Sequence, residues 1–246
     1  MKMTKAGILA LCVCAVPHVA SAQTMQFTDK GFISVGGGAQ TGSHTLETSS
    51  TFTLYDENAS VATSQKISGG GFFEIGGAYR VWGNNLLAGV TYTHTSSKSD
   101  VALTASLPHP NFFDQPRTVT STQSGAKHAE NGIHLSAFYM IPVANKLDIA
   151  IFGGPSFFRV NQDTVTTVSV TETADLTKPT VTAPLTKVSK SATGGHIGAD
   201  VQYMVTKRFG VGGTMRYTGA SVAIPDATKK LGVGGFQISG GARVRF

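Results

Sequence analysis

His134 and Ser136 stand two residues apart, and in an extended chain that spacing puts both side chains on one face. An imidazole beside a hydroxyl can take its proton and make it a nucleophile, provided a third group, usually a carboxylate, orients the ring. The pair lies mid-chain on a polar strand face, where it reads as a satisfied polar pair in a packed interior. His94, His109, His128 and His196 fall at no metal-ligand spacing. The only cysteines, Cys12 and Cys14, lie in a segment expected to be removed, which leaves no thiol nucleophile, disulfide or thiolate site. No catalytic, cofactor-binding or metal-binding residue is therefore expected. The second group of candidates is electrostatic: Glu74, Arg80, Asp148, Arg159, Asp200, Arg216, Arg243 and Arg245 recur on the polar faces of strand-like segments.

The segments that must hold those charges have an unusual outer face. Along the final eleven residues, Phe236, Ile238, Gly240, Ala242, Val244 and Phe246 share one side of a strand, and Gln237, Ser239, Gly241, Arg243 and Arg245 the other. Ten steps of ~3.3 Å at a tilt of ~40° rise ~25 Å, the height of the apolar band of a transmembrane β-barrel. One face suits acyl chains and the other suits a polar lumen.

Residues 1–22 read as a secretory signal peptide: Lys2 and Lys5, an apolar run from Ala6 to Val16, then Ala20-Ser21-Ala22. Residues 23–30 would be a short periplasmic lead-in and 31–246 the barrel. Loss of Lys2 and Lys5 leaves 18 basic against 14 acidic residues, a dispersed excess that does not point to nucleic acid.

Eight strands are expected, at about 32–45, 66–81, 86–97, 131–141, 147–161, 193–205, 209–221 and 236–246. Pro155 is expected to mark a bulge that turns Arg159 inward. Short turns follow the second, fourth and sixth strands. Long connections, about 47–65, 100–130, 162–192 and 222–230, follow the others, which is the asymmetry of a chain threaded through a membrane from one side. Two of them look like projecting hairpins, one turning around Asp56-Glu57-Asn58 and one around residues 174–179. Tyr79, Trp82, Tyr203 and Phe209 would line the periplasmic rim, and Tyr92 and Tyr217 the outer one.

These features together resemble the small outer-membrane β-barrel superfamily that includes the OmpA transmembrane domain, OmpX-like proteins and the Opa adhesins. The resemblance covers the whole mature chain. It implies an all-β, eight-stranded, antiparallel up-and-down barrel in the outer membrane of a Gram-negative bacterium, and a monomer surrounded by lipid and lipopolysaccharide. It also implies that Phe246, Val244 and Ala242 carry the signal read by the barrel-assembly machinery.

Eight strands enclose a lumen just wide enough for side chains, so the inward charges should pair and plug it. The expected role is envelope structure and surface contact or adhesion, through long extracellular loops that meet a host or matrix protein. The alternative is a narrow porin-like channel, suggested by five arginines against three acids in the predicted lumen. A lipid A-modifying enzyme is a weaker one: His134-Leu135-Ser136 has the His-x-Ser spacing of outer-membrane lipid A deacylases, but mid-chain rather than near the chain end.

Overall fold

The computed structural model describes residues 27–174 and 176–246; the signal-peptide segment lies outside them. Twelve strands run in chain order: β1 (Gly31–Thr41), β2 (Ser43–Leu54), β3 (Glu57–Ser68), β4 (Gly71–Trp82), β5 (Leu86–Leu107), β6 (Arg117–Ala144), β7 (Leu147–Val165), β8 (Ser169–Thr171), β9 (Thr180–Thr182), β10 (Leu185–Met204), β11 (Phe209–Val222) and β12 (Leu231–Arg245). A closed antiparallel ring of eight runs β1-β4-β5-β6-β7-β10-β11-β12 and returns to β1. Closure leaves no free edge, which lipid would not tolerate.

The ring is lipophilic outside. Ile33, Val35, Ile75, Val90, Leu135, Ile151, Ile197, Val211 and Ile238 point outward and are exposed, whereas Glu74, His134, Asp200, Gln202, Arg216, Gln237 and Arg243 are buried within. Tyr79, Trp82, Tyr139, Tyr203, Phe209 and Phe246 form the lower aromatic girdle, and Phe73, Phe157, Tyr217 and Phe236 form the upper one.

Most of the expected long loops are strand. β2 and β3 prolong the first hairpin, and β3 pairs with β5 from Ser60↔Ser106 to Gln65↔Val101. β5 and β6 stay paired out to Leu107↔Arg117, and β7 and β10 to Val165↔Leu185. The sheet thus continues past the upper girdle, in the order β2-β3-β5-β6-β7-β10. From Ser97 to Leu107 are ten further steps, a rise of ~25 Å at the same tilt.

Two glycine irregularities mark the junction. Between β3 and β4 the pairing sum changes by one, from Ser43↔Ser68 to Gly31↔Tyr79, across Gly69 and Gly70. A Cβ on Gly69 would lie 1.9 Å from the Gln40 carbonyl oxygen, so only glycine fits there. On β6 the register with β5 shifts between Ser99 and Val101, opposite Gly125 at φ +80°. Each bulge exchanges the inward and outward residues of its strand. On β6, His128, Glu130 and His134 face inward below the bulge, while Arg117 and Val119 do so above it.

Three expectations are corrected. Pro155 makes no bulge: the pairing of β7 with β10 runs unbroken through Gly195↔Pro155, so alternation holds and Arg159 is exposed on the outer face, two residues beyond Phe157. An outward arginine at that height reaches water, so it needs no lumenal partner. The β2–β3 turn is at Tyr55-Asp56, with φ of 53° and 60°, not around Asp56-Glu57-Asn58. A two-residue turn with both residues at positive φ matches the strand twist, and pairing then begins at Leu54↔Glu57.

Candidate functional site

Two sites emerge, one inside the ring and one at its far end. Three buried ion pairs cross the lumen. Arg216 Nη2 donates to Glu74 Oε2 at 3.0 Å, and its Nε donates to Gln237 Oε1 at 2.8 Å. Arg243 Nη2 lies 2.6 Å from Asp200 Oδ2, with Thr214 Oγ1 bonded to both. Arg245 pairs with Asp148, donates to Gln202, and stacks over the Phe27 ring at 5.2 Å. Each of the three acids thus has a guanidinium of its own, reached from a strand two or three places away around the ring.

Of the eight residues expected in that network, six meet in pairs. Arg80 is on the lumenal side at the lower mouth, where Nη1 donates to the Phe27 carbonyl at 3.2 Å. Arg159 is outside. Phe27, which precedes β1, is buried with Phe32, Phe138 and Phe152 in an aromatic cluster across the lower half of the lumen. Phe138 and Phe152 have centroids 4.9 Å apart, and Phe32 meets Phe138 edge-on at 5.6 Å. The cavity among Phe32, Phe138, Phe152 and the Arg216 and Arg243 pairs is about 20 Å³, about what one water needs.

Sequence reasoning missed a second polar layer. Glu130 accepts from Gln40 and from the Gly234 amide and lies 2.9 Å from His128 Nε2. His128 Nδ1 continues to Gln162, and Gln162 to Gln65. The signal is in the sequence: His128, Glu130, Gly132 and His134 share the inward face of β6, although 128 and 130 fall in the expected connection 100–130.

His134 and Ser136 do not bond to each other. His134 Nδ1 is 2.8 Å from Ser156 Oγ and its Nε2 3.0 Å from Thr93 Oγ1, while Ser136 Oγ is 2.8 Å from His196 Nε2. Ser156 also meets His196 Nδ1 at 2.9 Å, so one chain of five polar groups runs through the lumen with no carboxylate in it. His134 is fully buried.

Above the junction the polarity reverses. Val61, Val101, Leu103, Ala105, Leu107, Ala126, Val165 and Ala183 fill the interior, with Val119 and Val170 packed against them. Ser96, Lys98, Asp100, Thr104, Thr118 and Thr120 face out from β5 and β6.

The outer tip is held by one arginine. Arg117 makes a two-pronged contact with Glu172, at 2.7 and 2.8 Å, and also donates to the carbonyls of Pro108 and Leu176. Tyr55 Oη donates to Glu172 as well, which joins three connections at one point. The Arg117 hydrogen bond holds the Glu172 carboxyl below the usual glutamate range. From this clamp rises the β5–β6 connection, residues 108–116, whose Phe112 and Phe113 are 56% and 74% exposed.

A closed ring with a hydrocarbon exterior and a paired polar lumen is the fold of an outer-membrane β-barrel. The outer membrane protease OmpT of Escherichia coli superposes with a TM-score of 0.51 at 9% identity, over 91% of this chain and 99% of that one. Neisserial surface protein A gives 0.43 at 16% identity, over 88% and 97%. The outer membrane protein OprG of Pseudomonas aeruginosa gives 0.40 at 11% identity, over 89% and 96%. At 9% identity the OmpT likeness shows the fold alone. No family model and no curated protein sequence matches the chain.

Proposed function

We propose that this protein is a monomeric surface-contact protein of the Gram-negative outer membrane, exported by a signal peptide cleaved after Ala22, and neither a channel nor an enzyme. The observation that carries this reading is the outer section, a folded, apolar-cored extension that lifts a compact tip clear of the bilayer. Passive cover for a lipid-embedded ring would need no core of its own. A partner on a host cell or in its matrix would meet the tip, while lipid and lipopolysaccharide surround the ring. Phe246, Val244 and Ala242 would serve the barrel-assembly machinery, and the outward placement of Phe246 suits that role.

A closed lumen is supported by the aromatic cluster and by the three matched ion pairs. Absence of hydrolytic chemistry is supported by Ser136 and His134, each engaged by other buried groups. Surface display of the intact chain, against a variant lacking residues 108–116 and 166–187, tests the main reading. Epithelial-cell or matrix-protein binding should fall with the deletion, and equal binding by both would refute it. Refolded protein in planar bilayers should be electrically silent; stable conductance steps would establish the channel instead. A lipid A mass shift abolished by Ser136→Ala would establish the enzyme.

A further inference from the structure

Two adjacent, exposed phenylalanines in the β5–β6 connection of a water-exposed section need an explanation, because solvent disfavours them and neither belongs to a buried core. The loop that carries them is stiff. Pro108, Pro110 and Pro116 fix three of its nine backbone φ angles, and the Asp114 amide donates to Glu57 Oε1 at 2.9 Å. The Asn111 amide donates to His109 Nδ1, and the His109 ring lies 4.8 Å from Phe112. The Arg117 clamp ties the loop base to the β7–β10 connection. Rigid, exposed aromatics are what an interface anchor requires, since little entropy remains to be lost on binding.

The surroundings select the partner. Among the described residues Arg117 and Glu172 neutralise each other, which leaves the tip with Asp56, Glu57 and Asp114 against Lys178. An acidic rim is repelled by an anionic bilayer and by a second copy of itself, and is attracted to cationic side chains. We propose that Phe112 and Phe113 are the anchor of a docking site for a protein surface that presents an apolar pocket bordered by lysine or arginine. This rests on the surface-contact reading and names its site.

The test uses the full mature chain in lipid nanodiscs, probed with a displayed library of random peptides depleted against a Phe112→Ser, Phe113→Ser double variant. Recovered peptides should combine aromatic or aliphatic residues with Lys or Arg. They should bind the double variant at least ~10-fold more weakly and lose affinity between low and high salt. Asp114→Asn, which tolerates the φ of 58° at that position, should bind them more weakly at low salt and lessen the salt dependence. Unchanged mobility of the unheated variants in gels confirms that they are folded. Peptides without basic residues, or ones that bind the double variant equally, overturn the proposal. So does Phe-dependent flotation with lipid vesicles, or Phe-dependent self-association. Adhesion lost on deleting the tip but kept by the double variant sinks this inference alone; adhesion unaffected by the deletion sinks the broader reading.

Discussion

The membrane section and the outer section are built from the same strands with opposite polarity. On β5 every odd residue faces inward from end to end. Below the junction those residues are Leu87, Gly89, Thr91, Thr93 and Thr95, and the outward set is Leu86, Ala88, Val90 and Tyr92. Above it the inward set becomes Val101, Leu103, Ala105 and Leu107, and the outward set Ser96, Lys98 and Thr104. The alternation does not say which face is inside; the solvent does. In lipid the hydrophobic effect gives no reason to hide apolar surface, so the interior can be polar and is held by paired charge beside one aromatic cluster. In water the interior is held by burial, worth roughly 25 cal/mol per Å² of apolar area. β5 makes the change by composition alone, whereas β6 and the β3–β4 strand also use glycine bulges that exchange their faces.

The sharpest way to break this contrast is to remove one charge below the junction. Asp200→Ala leaves the buried Arg243 guanidinium with Thr214 but without a counter-charge, an expected loss of about 3–5 kcal/mol if the lumen is dry. Urea unfolding followed by Trp82, the single tryptophan and 79% exposed on the lipid side, reports on this section. A loss under about 1 kcal/mol would mean that water solvates the orphaned arginine, and the lumen would then be open rather than plugged.

The matching change above the junction is Leu103→Ala, expected to cost about 2–5 kcal/mol through lost burial and the cavity left behind. Its signature should be regional: faster proteolysis at Lys98, Lys127 and Lys187, with the Trp82 transition in place. If that transition moves by the same amount, the sections melt as one unit and their separation is only chemical.

Much of the membrane section was legible because its code is strict. Alternation, aromatic spacing and the short turns are all dictated by a bilayer of fixed thickness, and the strand ends at Leu86, Leu147 and Phe209 agree with that reading. The ion pairs were half legible: residue types on the polar face could be read, but the pairing of Arg243 with Asp200 rather than Glu74 depends on strand stagger. Arg159 was misplaced because a proline was taken to break a ladder that it does not break. The outer section was hidden by its composition. Ser96 to Ser99 and Thr118 to Ser124 have the polarity of loops, and their pairing is secured across strands by neighbours distant in sequence.

The junction itself offers a smaller effect. Nothing lies within 4 Å of a Cβ added to Gly125, so Gly125→Val should cost only the backbone penalty of φ +80°, about 1–2 kcal/mol. Gly125→Asn should recover much of it, since asparagine visits that region. Chemical denaturation of both variants, with proteolysis of the outer section as a second reading, decides the matter. Equal losses would mean that steric room, not φ, fixes glycine there.

At the tip, the expected effect is smallest and depends on pH. The Glu172 carboxyl is held low chiefly by the Arg117 hydrogen bond, against a smaller opposing contribution from burial. A carboxyl whose folded value is depressed contributes stability above its unfolded value of ~4.3, and that contribution is lost as pH falls through the folded value. The clamp is therefore complete at neutral pH and loosens in the acid range below ~4. With side chains only 11% and 19% exposed but close to water, the pair is worth on the order of 1 kcal/mol. Amide exchange of residues 108–116, corrected for its intrinsic pH dependence, should quicken at pH 3 relative to pH 6, and Arg117→Gln should remove the difference. Exchange in the lumen strands serves as the reference, because the Arg117 clamp lies beyond the outer core and touches none of them. Loosening of both regions together would show that acid acts on the barrel as a whole.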